Sequence, residues 1–174
     1  MGKQYKSLKQ KDIDFILNQK IFYISSSSDA EVNISPKGYD SLRIMDNKTL
    51  LYLDYPGSGN RTYRDCKNNG EFTLLFHSFG EVAGILRIFC TASVVEKSGS
   101  EFEKYLELFS EKKSLVRNFF IFDIYGVETS CGESIPYMEY KGERDSLKNW
   151  AVKLDDQGRL DEYIQNHLVP PSIK

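Results

Sequence analysis

The sequence has little of what disulfide frameworks and metal centres require. Three cysteines, Cys66, Cys90 and Cys131, are widely spaced among its 174 residues, and none belongs to a Cys-x-x-Cys pair. Its two histidines, His77 and His167, lie far apart. We therefore expect free thiols in a reducing compartment, ahead of a disulfide or a zinc site, and a cytoplasmic location.

The sequence also lacks an excess of either charge and any long apolar run. Its 23 basic and 25 acidic residues are interleaved and leave a net charge of -2. This balance gives no basic footprint for nucleic acid and no basic block for an anionic membrane. No apolar run approaches the roughly 20 residues that cross a bilayer, and the polar start MGKQYKSLKQ lacks the apolar core of a signal peptide. We expect no nucleic-acid partner and no membrane partner.

Short strands and aromatic residues are what the sequence has in abundance. Eleven Tyr and eleven Phe bring the aromatic content to 13%, which favours a sheet-rich fold. The patterns predict strands over 21–25, 31–35, 42–45, 49–53, 72–77, 83–95 and 118–127. They predict helices over 9–19, 60–69, 101–109, 146–152 and 155–168.

Consecutive strands joined by hairpins are typical of an antiparallel barrel rather than a doubly wound sheet. The fold class predicted is mainly β, a small β-barrel with α-helices. Residues 1–174 are expected to form one domain, with an N-terminal helix and a helical C-terminal tail.

Residues 21–63 carry the candidate site. Val32, Ile34 and Pro36 alternate with polar residues, which is the period of a half-buried strand. Further on, a Pro-Gly-Ser-Gly-Asn loop leads to Arg61 at a predicted helix start. Small residues followed by arginine at a helix start are a recurrent arrangement for binding phosphate.

Each candidate also has a simpler interpretation. Arg61 could be a solvated arginine on a surface helix. Lys37 could be an edge-strand lysine that prevents aggregation. Asp54 could cap the loop that follows it. These alternatives stay open on local sequence alone.

Four segments in order resemble the pyridoxamine 5′-phosphate oxidase-like, FMN-binding split-barrel family. They are FYISSSSDAEVNISPKG, PGSGNRTYRDCKNNG, ILRIFCTASVV and VETSCGESIPYMEY. The resemblance extends from about Ile13 to Trp150 and is to an uncharacterised subfamily. Authentic pyridoxamine phosphate oxidases end with a tryptophan followed by Arg-x-His. Here Trp150 is followed by a helical tail, and Gln165 stands two positions before His167, so pyridoxamine phosphate is not the expected substrate.

The resemblance implies a six-stranded antiparallel split β-barrel that dimerises and binds FMN at the subunit interface. The residues that would line the flavin and its ribityl chain are Asn33, Ser35, Pro36 and Lys37. Asp54 would lie near the ring or the ribityl hydroxyls. The residues that would hold the phosphate are Ser58, Arg61 and Thr62.

The resemblance also implies a contribution from the partner subunit, which would bring Ser130 and Trp150 over the exposed face of the ring. Trp150 has an alternative as a core residue that anchors the C-terminal helix to the barrel. Arg87, which interrupts the apolar strand ILRIF, either points outward at an interface or pairs with a carboxylate such as Asp123.

Two functions are compatible with these residues. The first is a flavin-dependent oxidoreductase acting on an unknown small molecule, with NADH or NADPH as a candidate reductant. The second is a non-catalytic protein with a sensing, storage or stress role that binds flavin or haem. The sequence does not choose between FMN and another planar cofactor such as haem or a deazaflavin.

Overall fold

One antiparallel sheet dominates the computed structural model, which describes residues 2–28 and 31–171. Its eight strands are β1 (Lys3–Tyr5), β2 (Phe22–Ser27), β3 (Asn33–Lys37), β4 (Leu42–Ile44), β5 (Thr49–Asp54), β6 (Glu71–His77), β7 (Ile85–Glu96) and β8 (Asn118–Ser130). The helices are α1 (Gln10–Leu17), α2 (Arg61–Lys67), α3 (Phe102–Leu106), α4 (Ser146–Asp156) and α5 (Leu160–Asn166), with a short 3₁₀ helix at Lys113–Leu115. None of the helices in these residues is long and apolar enough to cross a membrane.

The sheet curls because its two edge strands are consecutive in the chain. The strand order is β3-β2-β6-β7-β8-β5-β4, and β1 pairs with the end of β8 that β5 leaves free. A flat sheet of seven strands would hold its edges about 29 Å apart. The chain from Lys37 to Leu42 reaches at most about 18 Å, so β3 and β4 must approach each other around the core.

The core has an inner and an outer part. Inside the curled sheet, alternate residues of the strands pack together, including Ile24, Leu74, Ile88 and Phe122. On the outer face, α3 covers β5 and β8 and buries the other residues of both strands. The outer cluster includes Leu51, Leu53, Phe119, Phe102 and Tyr105. Residues 50–54 are therefore buried at every position, and the side chains of Tyr52 and Asp54 share one face of β5.

Strand β3 has its polar side chains on the inner side. Val32, just before it, and Ile34 are 66% and 67% exposed. The Asn33 amide instead donates to the buried Ser26 hydroxyl at 3.2 Å. A half-buried strand normally presents its apolar residues to the core, so this inversion indicates an interior that is polar at the β3 edge.

The predicted fold class is confirmed, and the seven strands predicted from the patterns are all present. The resemblance implied six strands, whereas the sheet has eight. The strand that the patterns did not predict is the polar segment Lys3–Tyr5, which gains its strand conformation from pairing with β8. The C-terminal helices also divide elsewhere: α4 continues to Asp156, and the chain turns at Gly158, which has a φ of +67°. Positive φ has little steric cost for glycine.

Candidate functional site

A cavity of about 370 Å³ lies where the β3 edge faces the end of β5 and the start of α2. Its walls come from β3, Tyr52 and Asp54 of β5, the loop 55–60, the first turn of α2 and Arg117. Eight of the ten residues predicted for the cofactor site line it. They are Asn33, Ser35, Pro36, Lys37, Asp54, Ser58, Arg61 and Thr62.

The β3 side of the cavity is a hydrogen-bonded polar surface. The Asn33 amide nitrogen lies 3.3 Å from the Ser35 hydroxyl and 3.5 Å from the Thr62 hydroxyl. Ser26, which accepts from Asn33, donates at 2.7 Å to Asp65, a fully buried carboxylate. This network joins β3 to α2 and places hydroxyl and amide groups on one wall.

The floor of the cavity contains a buried ion pair. Arg117 Nε donates to Asp54 Oδ2 at 2.8 Å, and the two side chains are only 5% and 4% exposed. Asp54 also accepts at 3.3 Å from the Tyr52 hydroxyl. The register of β5 on β8 accounts for the pairing, because Asp54 stands opposite Asn118, the residue after Arg117.

Lys37 is a cavity cation without a close partner. Its ammonium lies 5.4 Å from the centre of the Tyr52 ring, and it forms no hydrogen bond or ion pair with the residues that the structure describes. Burial lowers the pKa of Lys37 below its usual value; Asp54 raises that pKa, and Arg117 lowers it. A ligand anion would provide the negatively charged partner that the described residues do not place beside the Lys37 ammonium.

Arg61 lines the cavity but already has partners. Its Nε donates to Glu31 Oε1 at 3.1 Å, and an Nη donates to the Pro171 carbonyl at 3.0 Å. Arg64 donates to the same Glu31 oxygen at 2.9 Å. Hydrogen bonds from Arg64 and Arg61 lower the pKa of Glu31 to about 2, so this carboxylate is ionised at neutral pH. A phosphate that binds Arg61 would compete with the Glu31 carboxylate.

The two other predicted residues lie outside this cavity. Ser130 accepts a hydrogen bond at 3.0 Å from Arg87, at the end of β8. Trp150 packs edge-on against Tyr163, with the ring centres 4.8 Å apart, in the cluster that joins α4 to α5. Both were expected to act from a partner subunit, and that expectation stays a prediction. Arg87 pairs with Glu128 at 3.5 Å, so Asp123 was the wrong partner.

Two site residues were missed by the sequence reasoning. Arg117 precedes a strongly apolar strand, where a charge gives no local signal for a partner 63 positions away. Asn60 is only 2% exposed, and its Oδ1 is buried without a hydrogen-bond partner among the described residues. The Gly-Ser-Gly-Asn spacing could have suggested Asn60, because short polar residues recur at helix starts.

A larger groove of about 840 Å³ adjoins the cavity. The two share the segment 36–39 and Leu147 in their linings, so they lie side by side. The groove contains aromatic side chains from three parts of the chain, namely Tyr39, Phe79 and Tyr140. A polar cavity beside a wider, aromatic groove fits a ligand with a polar tail and a flat body.

Comparison with known proteins places the chain in a family. No family model matches the sequence. A pyridoxamine 5′-phosphate oxidase family protein, ustO of Aspergillus flavus, is 35% identical over 177 residues, covering 91% of this chain and 71% of ustO.

Solved structures of low sequence identity share the fold. HupZ from Group A Streptococcus gives a TM-score of 0.55 at 19% identity, over 76% of this chain and 99% of that one. A candidate pyridoxamine 5′-phosphate oxidase from Lactobacillus delbrueckii gives 0.57 at 19% identity, over 71% and 98%. These likenesses support the split-barrel fold expected from the sequence. The 35% identity to ustO over most of both chains leads to one conclusion: the chain belongs to the pyridoxamine 5′-phosphate oxidase family.

Proposed function

We propose that the protein is an FMN-binding flavoprotein that acts as an oxidoreductase on a small molecule. The observation that carries the proposal is the cavity beside β3, which collects eight of the ten predicted residues, among them Lys37, whose ammonium has no charge partner among the described residues. Family membership through the 35% identical ustO supports the same ligand class.

The residues of the cavity fit the phosphate end of FMN. A phosphate is bound best by cations and hydroxyl or backbone donors acting together. Lys37, Arg61, Ser58 and Thr62 supply such groups from two sides of the cavity. Lys37 would gain the charge partner that the described residues do not give it, whereas Arg61 would be shared with Glu31.

The same cavity fits a polyol chain. Asn33 and Ser35 present an amide and a hydroxyl on the β3 wall. The buried Oδ1 of Asn60 has no partner among the described residues and could accept a hydrogen bond from a ligand hydroxyl. An unmet buried acceptor costs free energy, so a ribityl hydroxyl would offset that cost. The flat ring would then extend toward the aromatic groove at 36–39.

In the proposed reaction, FMN supplies the redox chemistry and the protein supplies position and charge. Lys37 would bind the phosphate end of the cofactor. Its positive charge would also favour negative charge on the reduced flavin ring. The aromatic groove would hold the small-molecule substrate, with NADH or NADPH as the proposed electron donor. We further propose a homodimer in which the partner subunit completes the site with Ser130 and Trp150.

Haem binding is the alternative that the histidines argue against. The His77 ring lies between Tyr23, at 5.6 Å, and Phe79, at 4.5 Å. The His167 ring stacks on Tyr163 at 4.0 Å. Neither histidine lines the cavity or the groove, so neither is placed to provide the axial imidazole common in haem proteins.

Purified protein tests the proposed function directly. Incubation with FMN followed by gel filtration should give a yellow, dimeric protein with retained flavin absorbance. Anaerobic addition of NADH or NADPH should bleach the flavin, and air should restore it. Flavin that is retained but never reduced would support a non-catalytic role. A protein that retains no flavin but gives a Soret band with haemin would refute the proposal.

A further inference from the structure

The side chain of Arg117 donates hydrogen bonds to backbone carbonyl groups of the loop between β5 and α2. Besides the bond to Asp54, Arg117 Nη1 donates to the Gly57 carbonyl at 3.1 Å and Nη2 donates to the Gly59 carbonyl at 3.0 Å. The Arg117 backbone N–H also donates to the Asp54 carbonyl at 2.8 Å. One buried guanidinium therefore connects the end of β5 to two carbonyls of the loop.

The middle of the loop, residues 57–59, has little else to define its shape, whereas Tyr55 is anchored by packing in the outer cluster and by a hydrogen bond to Glu111. A Cβ built at Gly57 or at Gly59 meets nothing within 4 Å, so open space lies on the side of each residue where a side chain would be. Asn60, the last residue of the loop, is fixed by two hydrogen bonds. Its side-chain amide donates to the Leu168 carbonyl at 2.9 Å, and its backbone carbonyl accepts from the Arg64 N–H at 3.1 Å. Among the described residues, Arg117 is the residue whose side chain donates hydrogen bonds to the backbone of residues 55–60.

The carbonyl contacts also set the direction of the backbone amides. The described residues contain no cis peptide bond. In a trans peptide the C=O and the following N–H point in opposite directions. With the Gly57 and Gly59 carbonyls directed at Arg117, the N–H groups of Ser58 and Asn60 are directed away from it. The same contacts fix the loop that carries the Ser58 hydroxyl and leads into Arg61.

We propose that Arg117 is a positioning residue for the cofactor, which shapes the phosphate-binding loop through the Gly57 and Gly59 carbonyls. This inference rests on the proposed function, because it assumes that the loop binds the phosphate of FMN. Three of the five N–H donors of Arg117 are used on Asp54 and the loop, as expected of a group that acts through its neighbours.

A substitution that tests this role should remove the two Nη groups, which donate to the two loop carbonyls from a fixed planar guanidinium. Arg117→Lys keeps a cation beside Asp54, but an ammonium on a flexible stem cannot reproduce the two fixed Nη contacts. A second variant, Arg117→Gln with Asp54→Asn, removes both buried charges together and avoids an uncompensated carboxylate. Both variants leave Ser58, Arg61 and Thr62 unchanged.

Arg43→Lys is the matched control. Arg43 also binds an aspartate, Asp40, and also donates to backbone carbonyls, those of Leu108 and Leu42. It does not line the cavity. Because the Arg43–Asp40 pair is more exposed than the Arg117–Asp54 pair, this variant reports the effect of replacing a guanidinium bound to an aspartate and to backbone carbonyls, apart from the effect of burial.

The experiment compares loop exchange and flavin affinity in these proteins. Amide hydrogen exchange of peptides covering residues 55–61 is measured without ligand, and the Kd values of FMN and riboflavin are measured by fluorescence quenching. In Arg117→Lys we expect at least roughly tenfold faster exchange in these peptides and a roughly tenfold weaker FMN Kd. The riboflavin Kd, the exchange elsewhere and the Arg43→Lys protein should stay within about twofold of wild type.

Each outcome has a separate meaning. Equal weakening of FMN and riboflavin would point to general disruption and overturn the positioning role, as would unchanged exchange in both Arg117 variants. If Arg117→Lys proves too unstable to assay, the charge-neutral double variant is judged by exchange in peptides 55–61 alone, because Asp54 itself lines the cavity. Wild-type protein that binds neither FMN nor riboflavin would overturn the proposed function, and with it the role of Arg117 in cofactor binding. Normal wild-type binding with unaltered variants would overturn this inference alone.

Discussion

Two arginines flank the loop at residues 55–60, and they differ in burial and in partners. Arg117 is 6% exposed and is bound to a buried carboxylate and two loop carbonyls. Arg61 has a side chain 23% exposed and shares Glu31 with Arg64. The first is bound to the loop itself, and the second lines the cavity while bound to Glu31.

The difference separates the two roles that we propose, in which Arg117 positions the loop and Arg61 contacts the phosphate. Arg117 has a fixed set of partners, because breaking a buried pair leaves an unpaired charge. Arg61 has partners near the surface, where the net free energy of an ion pair is small. A ligand phosphate can therefore compete for Arg61 but not for Arg117. The predictions below test this division.

The largest effect is expected from Arg117→Ala, which leaves the Asp54 carboxylate buried without its cation. Loss of one partner of a buried pair typically costs about 3–5 kcal/mol of unfolding free energy. Urea unfolding should show this loss, whereas Arg61→Ala should lose no more than about 1 kcal/mol. Equal stabilities of the two variants would remove the distinction between the arginines.

Arg61→Ala should instead show its effect on the ligand. A hydrogen bond to a charged group contributes about 1.5–3 kcal/mol, so the FMN Kd should rise roughly ten- to hundredfold. The riboflavin Kd should stay near the wild-type value because riboflavin carries no phosphate. Arg159→Ala, which changes an exposed arginine near Gln157, is the control. Unchanged FMN affinity would exclude Arg61 from the site.

The charge of Lys37 should make FMN binding dependent on pH. Burial lowers the pKa of Lys37, and a bound phosphate favours the protonated amine. FMN affinity should therefore fall by about tenfold as the pH rises from about 7 to about 10, beginning below the usual lysine range. Lys37→Met should bind FMN more weakly at pH 7 and show a flat profile. A wild-type profile that matches that of Lys37→Met would contradict the contact.

The smallest effect is expected from Glu31→Gln, which weakens the competitor of the phosphate at Arg61. Because the pKa of Glu31 is lowered to about 2, the wild-type carboxylate competes throughout the neutral range. The FMN Kd of Glu31→Gln should fall by roughly two- to tenfold, with riboflavin unchanged. Weaker FMN binding would show that Glu31 supports the phosphate contact and does not oppose it.

Local sequence patterns predicted the strands, because each strand's pattern is contained in a short stretch of chain. The candidate site residues came from the family resemblance, and eight of them line one cavity. The alternation of Asn33 and Ser35 with Ile34 placed one face of β3 together. The Gly-Ser-Gly-Asn loop followed by Arg61 marked the start of α2. Both segments form walls of the same cavity.

The missing features depend on contacts between distant parts of the chain. Arg117 meets Asp54 through the register of two strands, and the two residues are 63 positions apart in sequence. The three-residue strand β1 has no apolar pattern and exists through its pairing with β8. Glu31, just before β3, accepts a hydrogen bond from Arg61 at the start of α2, 30 positions away in sequence. None of these contacts leaves a periodic signal in the sequence.

The most direct test of the FMN proposal is the ratio of riboflavin to FMN dissociation constants for the wild-type protein. The two ligands differ only in the phosphate that Lys37, Arg61 and the loop are proposed to bind. A charge-assisted phosphate contact predicts FMN binding that is tighter by roughly a hundredfold or more. Equal dissociation constants, or no binding of FMN, would contradict the assignment of this cavity as the phosphate site of a flavoprotein.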